Sequence, residues 1–335
     1  MTTALIHPRQ ALFDADEVAP ELPVCDHYCG VEARMHKSLA LQAEMGPVFD
    51  ITLDCEDGAP VGGEAEHAAM VAELVMSNSN RFGRVGARVH PLDHPSFEAD
   101  VHTLVRGAGT RLAYLMVPKP NSLADVVRAC QHIDHELGSQ GLPVRLPIHF
   151  LVETHGALRE VESIAAHPRV QSLSFGLMDF VSAHRGAIPA RAMGASGQFT
   201  HPLVLRAKLA IAAACHGHGK TPSHNVVTEL KNKHALAQAA EQASQQLGYT
   251  RMWSIHPDQI RPIVEAFAPS TAEVDVAIDI IHAAQAAGWA PIQHQGSLHD
   301  RASFRYYWQV LCRAQRTGQH LPAEVRDAYF SVPTP

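Results

Sequence analysis

The sequence lacks a long apolar segment and an excess of positive charge, and each absence excludes a class of protein. No apolar run approaches the ~18 residues that a membrane-spanning helix needs, and residues 1–23 lack the basic and apolar regions of a secretory signal. The formal net charge is −7 and only 18% of residues are charged, so no basic stripe indicates nucleic-acid binding. We therefore expect a cytoplasmic protein with neither membrane nor nucleic-acid partners, which must attract any small anion locally.

The sequence also has few cysteines, and their spacing is uninformative. The six cysteines form no Cys-x-x-Cys or zinc-ribbon pattern, so we expect free thiols in a reducing compartment. The 23 histidines are scattered and identify no site by themselves. What the sequence does have is 46% hydrophobic residues over 335 positions, enough for one large domain with an extension or for two domains.

Apolar, strand-like segments recur along the chain, and several of them run into charged residues. Ala-rich amphipathic stretches typical of helices lie between them, at 64–76, 122–137 and 156–167. Strand and helix in alternation every ~30 residues predict a mostly parallel sheet. The main strand candidates are FDITLDCEDGAP (49–60), RVGARVHP (84–91), LAYLMVPKP (112–120), LPIHFLVET (146–154), VQSLSFGLMDF (170–180) and RMWSIHPDQ (251–259).

An open doubly wound sheet and a closed barrel both satisfy this alternation, and two features favour the barrel. About eight strand candidates fit between residues 23 and 257, near the ~250 residues typical of a (β/α)8 TIM barrel. Charged residues end several different strands, where barrel enzymes place their chemistry. No Gly-x-Gly-x-x-Gly follows the first strand, which weakens a dinucleotide-binding interpretation.

The chain is predicted to have three parts. They are an N-terminal arm at 1–22, a (β/α)8 barrel at 23–269 and a C-terminal helical extension at 270–335. The extension carries helical patterns at 271–287 and 301–317. The least regular part is 181–225, where we expect a long loop, a helix and a seventh strand near TPSHNVV.

Glu153 and Asp179 follow the predicted fifth and sixth strands, so their carboxylates leave adjacent strands at one rim. Two carboxylates that converge in a cleft repel each other unless a proton or a cation lies between them. Magnesium suits such a pair, because it often takes one or two carboxylates and leaves its other positions to water and substrate. The alternative is that each is an ordinary charge at a strand end, paired with Arg or Lys.

Arg88 ends a strand of otherwise small and apolar residues, and it has two interpretations. A guanidinium can grip a substrate carboxylate or a developing oxyanion through two bonds. It can equally be the internal partner of the acids that follow the second strand, Asp54, Glu56 and Asp57. The two roles are compatible, since the acids could orient Arg88 and water around a metal ion without all binding it.

Six segments, in this order, resemble the citrate lyase beta-subunit-like family of the HpcH/HpaI aldolase superfamily over residues 45–310. LDCEDGAP resembles the family's Leu-Asp-Leu-Glu-Asp-Ala, ARVHPLD its Val-Arg-Val-Asn, VPKP its Pro-Lys, LVET its Glu-Thr, SFGLMDF its Phe-Gly-x-x-Asp-Phe, and MWSIHPDQI its Ala-Ile-His-Pro-x-Gln-Ile. The resemblance implies a barrel that makes or cleaves a carbon–carbon bond between a 2-oxo acid and an acetyl thioester.

The resemblance also implies roles for individual residues. It places Mg²⁺, with Mn²⁺ as the alternative ion, on Glu153 and Asp179. The same two acids and Arg88 contact substrate, and Arg88 and Glu56 are catalytic. The backbone amides of Gly176, Leu177 and Met178 face the 2-oxo acid carboxylate.

Residues 293–314, QHQGSLHDRASFRYYWQVLCRA, resemble the C-terminal lid of malyl-CoA and citramalyl-CoA lyases, with its Gly-x-Met-x-Asp pattern. Leu298 stands at the Met position, and Asp300 stands at the catalytic acid. Asp300 is also a suitable N-cap for the helix at 301–317. The lid implies a homo-oligomer, a trimer or hexamer in which it covers a neighbouring subunit's site, and a free CoA thioester as substrate.

The implied function is therefore a Mg²⁺-dependent carbon–carbon lyase for a 3-hydroxyacyl-CoA of the malyl-CoA or citramalyl-CoA type. Thioesterase activity, a citrate lyase beta subunit, a CoA-independent pyruvate-type aldolase and an inactive binding homologue are the alternatives. Three departures from the family pattern leave the substrate open. They are His90 for the family's Asn, Asn225 for an Asp near strand 7, and a first strand, VCDHYCG, without Pro-Gly.

Overall fold

We analysed a computed structural model, which describes residues 6–14, 22–143 and 145–331. The chain divides into two compact units. The barrel unit comprises residues 20–267, and the C-terminal unit comprises residues 268–335 together with 1–19. Within the described ranges, no helix has the length and apolar character needed to cross a bilayer.

The eight strands of the barrel unit close into a ring in sequence order, and every neighbouring pair is parallel. This confirms the predicted (β/α)8 barrel, including the seventh strand at TPSHNVV. The strands are β1 Cys25–Cys29, β2 Phe49–Asp54, β3 Val85–Arg88, β4 Leu115–Val117, β5 Ile148–Val152, β6 Val170–Phe175, β7 Thr221–His224 and β8 Arg251–Ser254, with β9 Ile292–His294 and β10 Ser297–His299 in the C-terminal unit.

Helices follow the strands, as the alternation predicted. They are α1 Pro8–Leu12, α2 Glu32–Met45, α3 Glu64–Met76, α4 Phe97–Ala108, α5 Leu123–Ser139, α6 His155–Arg159, α7 Val161–Ala166, α8 Leu177–Ser182, α9 Pro202–Gly217, α10 Lys233–Gln245, α11 Pro257–Phe267, α12 Thr271–Ala286, α13 Arg301–Arg316 and α14 Ala323–Tyr329. Helix α5 illustrates why these segments are helical. The Ser122 side chain caps its N-terminus by accepting a hydrogen bond from the Asp125 amide, and Val126, Ile133 and Leu137 form one buried face.

The sheet is buried on both sides, as expected when helices cover a parallel barrel. Its interior nevertheless contains charge. The fully buried Arg251 lies 3.0 Å from an Asp26 oxygen and 2.6 Å from an Asp50 oxygen. A buried arginine needs such partners, because an unpaired charge in an apolar interior is very costly.

Two predicted elements differ from the structure. The helix expected at 156–167 is divided at Glu160 into α6 and α7. The strand expected at 170–180 ends at Phe175, and the remainder forms the short helix α8. Asp179 therefore lies in the first turn of a helix rather than at the end of a strand. The chain turns at Gly176, where the strand's hydrogen bonding ends and the first helical turn begins.

The C-terminal unit has its own core, in which Leu12, Ile281 and Trp308 are buried. Helices α12 and α13 confirm the two predicted helical patterns. The β9–β10 hairpin between them and α14 were not predicted. Of the predicted N-terminal arm, residues 1–5 and 15–21 lie outside the described residues, and the three-part division of the chain stays a prediction.

Candidate active site

The site begins with the acids that follow β2. Asp54 is buried, and its two oxygens accept hydrogen bonds from Arg88 Nε at 2.7 Å and Nη2 at 2.5 Å. The same oxygens accept the backbone amides of Glu56 at 3.0 Å and Gly58 at 2.8 Å. Asp54 thus fixes both the turn after β2 and the direction of the guanidinium.

Glu56 connects the two cations of the site. One of its oxygens lies 2.8 Å from Arg88 Nη1, and the other accepts a hydrogen bond from Lys119 Nζ. Lys119 Nζ also donates to Asp57 at 2.8 Å. Burial works against the charge of Lys119, but its bonds to Asp57 and Glu56 raise its pKa above the usual value. Arg88 and Lys119 are therefore both held as cations.

Glu153 directly follows β5 and is 4% exposed. Its Oε1 accepts the backbone amide of Lys119 at 2.9 Å. Burial, and then the negative charge of Asp179, raise the pKa of Glu153 to about 8. The surroundings of Glu153 therefore disfavour its charged form, which a nearby cation would stabilise.

Asp179 is close enough for its charge to act on Glu153, and 46% of its side chain is exposed. Its Oδ1 is 3.8 Å from Lys119 Nζ, which is within ion-pair range but too long for a direct hydrogen bond. The residues before Asp179 form the N-terminus of α8, where Gly176 and Leu177 are buried and Met178 is 41% exposed.

Gly176 permits a close approach between β6 and Glu153. A Cβ atom added at Gly176 would lie 2.1 Å from Glu153 Oε2, closer than any real contact. The absence of a side chain at this position therefore makes room for the Glu153 carboxylate. This is a reason for glycine that does not depend on backbone conformation.

The acids of this rim outnumber its cations, and this composition fits a divalent ion. Among the described residues, no group of three or more His, Cys, Asp or Glu side chains is arranged to hold a metal. Magnesium does not require such a group, since one or two carboxylates with waters suffice. Glu153 and Asp179 meet that requirement, because they repel each other and Asp179 has an exposed side.

Of the predicted site residues, the structure brings Glu56, Arg88, Glu153 and Asp179 together through the contacts described above. Asp300 lies in the C-terminal unit, where it is the N-cap of α13. Its Oδ1 accepts the Ala302 amide at 3.0 Å as part of a capping box. Leu298, in the preceding hairpin, is 76% exposed.

His90 and Asn225, two of the departures from the family pattern, are both buried and hydrogen-bonded. His90 Nδ1 lies 2.6 Å from an oxygen of Asp100, on α4. The Asn225 side-chain amide donates to Gln198 Oε1 at 2.9 Å. Each thus has a partner within the barrel unit, which accounts for its burial.

Sequence reasoning missed two features of the site. Lys119 was not among the predicted site residues, although a lysine between two prolines after a strand was a visible signal. Tyr28 stacks on Trp253 with ring centroids 4.5 Å apart, and the Arg88 guanidinium lies 5.4 Å from the Tyr28 ring. No motif marked that pair, because the two residues are distant in sequence.

A closed parallel barrel with charged residues at the ends of several strands is the architecture of a barrel enzyme. The family model for HpcH/HpaI aldolase/citrate lyase matches residues 36–257. The chain belongs to this family, which confirms the resemblance found in its motifs.

Individual relatives agree with this assignment. A crystal structure of a citrate lyase from Burkholderia xenovorans is 52% identical, has a TM-score of 0.83, and covers 98% of this chain and 100% of that one. The L-malyl-CoA/beta-methylmalyl-CoA lyase of Cereibacter sphaeroides is 29% identical over 79% of this chain and 87% of its own length. The malyl-CoA/beta-methylmalyl-CoA/citramalyl-CoA lyase of Chloroflexus aurantiacus is 26% identical over 82% of each chain. Relatives with these names are carbon–carbon lyases.

The fold likeness extends to a more distant structure. CitE of Mycobacterium tuberculosis, in complex with magnesium, acetoacetate and coenzyme A, has a TM-score of 0.66. It is 18% identical and covers 90% of this chain and 100% of that one.

Proposed function

We propose that this protein is a Mg²⁺-dependent carbon–carbon lyase that cleaves or forms a 3-hydroxyacyl-CoA, with a 2-oxo acid and acetyl-CoA as the smaller partners. The observation that carries the proposal is the Glu153–Asp179 pair: both acids lie next to Lys119, one buried and one half exposed, and the charge of Asp179 acts on Glu153. The malyl-CoA lyases among its relatives support the thioester class. A citryl thioester is the second candidate, favoured by the 52% identity to a citrate lyase.

Arg88 has the position and the charge to stabilise the oxygen that becomes negative when the carbon–carbon bond breaks. Asp54 and Glu56 occupy three of its N–H groups, and a guanidinium has five, so donors remain for substrate. Because Asp54 accepts hydrogen bonds from two nitrogens of the Arg88 guanidinium, the guanidinium needs little reorganisation during the reaction. Glu56 acts through Arg88 and Lys119, which it contacts on opposite sides.

Glu153 and Asp179 would hold the magnesium ion, which would supply Lewis-acid chemistry to the substrate when bound. The exposed side of Asp179 leaves room for substrate at the same place. The amides of Gly176, Leu177 and Met178, at the start of α8, are assigned to the carboxylate of the 2-oxo acid. We assign to Asp300 the role of the acid that donates a proton to the carbon of the acyl enolate after cleavage.

The proposed setting follows from this chemistry. The partners are small molecules, a 2-oxo acid and an acyl-CoA. We further propose a homo-oligomer, a trimer or hexamer, because the C-terminal segment resembles a lid that closes a neighbouring subunit's site. We also propose that the protein is cytoplasmic.

The direct test is an incubation of the protein with acetyl-CoA, Mg²⁺ and a panel of 2-oxo acids, with and without a chelator. Mass spectrometry should detect a 3-hydroxyacyl-CoA that disappears when the metal is removed. The variants Glu153→Gln and Asp179→Asn should lower turnover by at least ~100-fold, because each removes one metal ligand. Adduct formation that ignores the chelator contradicts the metal role, and no adduct with any oxo acid contradicts the reaction.

Further assays with other substrates distinguish the remaining alternatives. A CoA-independent pyruvate-type aldolase condenses oxo acids with aldehydes and does not need acetyl-CoA. An inactive homologue binds CoA or an oxo acid in calorimetry without turnover. A thioesterase releases free CoA from malyl-CoA without cleaving the carbon–carbon bond.

A further inference from the structure

Lys119 contacts four acidic side chains from its two ends. Its backbone amide donates to Glu153 at 2.9 Å. Its ammonium group bonds Glu56 and Asp57 and lies 3.8 Å from Asp179. One residue therefore touches both acids assigned to the metal and two acids that are not.

The backbone of Lys119 is held in an unusual conformation that makes these contacts simultaneous. Its φ angle is 53°, in the left-handed region that non-glycine residues seldom adopt. Pro118 and Pro120 flank it, and each proline ring fixes its own φ. The amide consequently points at Glu153 while the side chain reaches the acids after β2.

The ammonium group has two effects on a divalent ion between Glu153 and Asp179. It repels the ion, because it carries the same sign of charge within a few ångströms of Asp179. It also bonds Asp57 and one oxygen of Glu56. Without it, these two oxygens would lose their cationic partner and be available to the ion, while Arg88 would still hold the other oxygen of Glu56. Both effects leave the ion with few protein ligands and with positions open to substrate.

We propose that Lys119 is a positioning residue that keeps Glu56 and Asp57 out of the metal's coordination shell. It thereby holds metal affinity low and favours Mg²⁺ over Ca²⁺. The inference rests on the proposed function, because it assumes that Glu153 and Asp179 bind the metal. Magnesium accepts a site with few protein ligands and several waters, whereas Ca²⁺ takes 6–8 oxygen ligands and gains more from each added carboxylate.

The experiment is isothermal titration calorimetry of Mg²⁺ and of Ca²⁺ into the metal-stripped full chain, without substrate. In Lys119→Met the Mg²⁺ dissociation constant should fall about tenfold, since removal of a neighbouring cation is worth at least one decade. The Ca²⁺ dissociation constant should fall further, so that the preference for Mg²⁺ narrows or reverses. Lys119→Asn should behave in the same way, and asparagine adopts positive φ more readily than most residues.

Three controls complete the design. Lys119→Arg keeps the charge and should keep wild-type affinity, whereas Lys37→Met removes an exposed charge on α2 and should change nothing. Adding Glu56→Gln and Asp57→Asn to Lys119→Met should abolish the additional gain in Ca²⁺ affinity. Circular dichroism verifies that each variant is folded.

The outcomes separate the two proposals. If the wild type binds neither ion, the proposed function fails. If the wild type binds Mg²⁺ and neither Lys119→Met nor Lys119→Asn binds it more tightly, the role of Lys119 is wrong and the lyase proposal stands. A gain in Mg²⁺ affinity that is not larger for Ca²⁺ also overturns the proposed exclusion of Glu56 and Asp57.

Discussion

Arg88 and Asp54 meet side by side, with two nitrogens of the guanidinium bonded to two oxygens of the carboxylate at 2.7 and 2.5 Å. The Asp54 side chain is 3% exposed and that of Arg88 is 10% exposed, so the pair is largely shielded from water. A buried pair of this geometry specifies an arrangement more than it adds stability, because desolvation offsets most of the attraction. Here the arrangement is the position of Arg88 at the barrel rim.

Asp54→Asn should leave Arg88 buried beside a neutral amide. We expect the free energy of unfolding to fall by about 3 kcal/mol, the lower end of the cost of breaking a buried ion pair, because Glu56 still contacts the guanidinium. Urea unfolding followed by circular dichroism measures this change. Asp93→Asn, at an exposed acid, is the matched control, and an equal effect in both variants would contradict the structural role of Asp54.

Gly176→Ala should displace the Glu153 carboxylate, because the added Cβ would lie 2.1 Å from its oxygen. The expected result is a loss of Mg²⁺ binding of at least tenfold, equivalent to about 1.4 kcal/mol, with the fold retained. Calorimetry measures the affinity. Gly138→Ala is the control, since a Cβ there meets nothing within 4 Å and alanine suits a helix better than glycine. Unchanged metal binding in Gly176→Ala would show that Glu153 is not a ligand.

His149→Gln should make stability less dependent on acid pH. Burial, and then the charge of Arg251, lower the pKa of His149 to about 3, whereas an unfolded chain binds the proton near pH 6.5. The unfolded state therefore takes up more protons below pH 6.5, and stability falls as pH drops toward 3, by on the order of 4 kcal/mol from this residue.

Urea unfolding at pH 7, 5 and 4 measures the difference between wild type and His149→Gln. The variant should lose less stability between pH 7 and 4, and a glutamine can replace the ring's bond to Gln171. The exposed His135→Gln should retain the wild-type pH dependence. Parallel curves for the wild type and His149→Gln would mean that His149 is protonated in the folded protein.

Asp300→Asn separates the two roles of Asp300. Asparagine caps a helix as well as aspartate does, so α13 and the stability of the protein should be unchanged. If Asp300 delivers the proton, kcat should fall by about 100-fold or more, because an amide cannot act as the acid. Asp300→Ala removes the cap as well and should cost about 1 kcal/mol of stability. Full turnover in Asp300→Asn would reduce Asp300 to a capping residue.

Much of the fold follows from local sequence. The alternation of apolar strands and amphipathic helices predicts a mostly parallel sheet, and the number of strands and their charged ends favour its closure into a barrel. Glu153 and Arg88 were predicted at the rim because the ends of parallel strands meet there. The position of Asp179 was wrong in detail, since VQSLSF and GLMDF form one apolar run and only Gly176 marks where the strand gives way to a helix.

The sequence by itself determined the class of fold, the family and which acids stand at the rim, since each of these depends on the spacing of residues near one another in the chain. Only the tertiary structure decided that Arg88 is paired with Asp54, that Lys119 bridges acids that follow β2, β5 and β6, and that Arg251 is neutralised inside the barrel. Those contacts join residues that are 34 or more positions apart. The distances between these side chains depend on how the barrel closes, and no local sequence pattern contains that information.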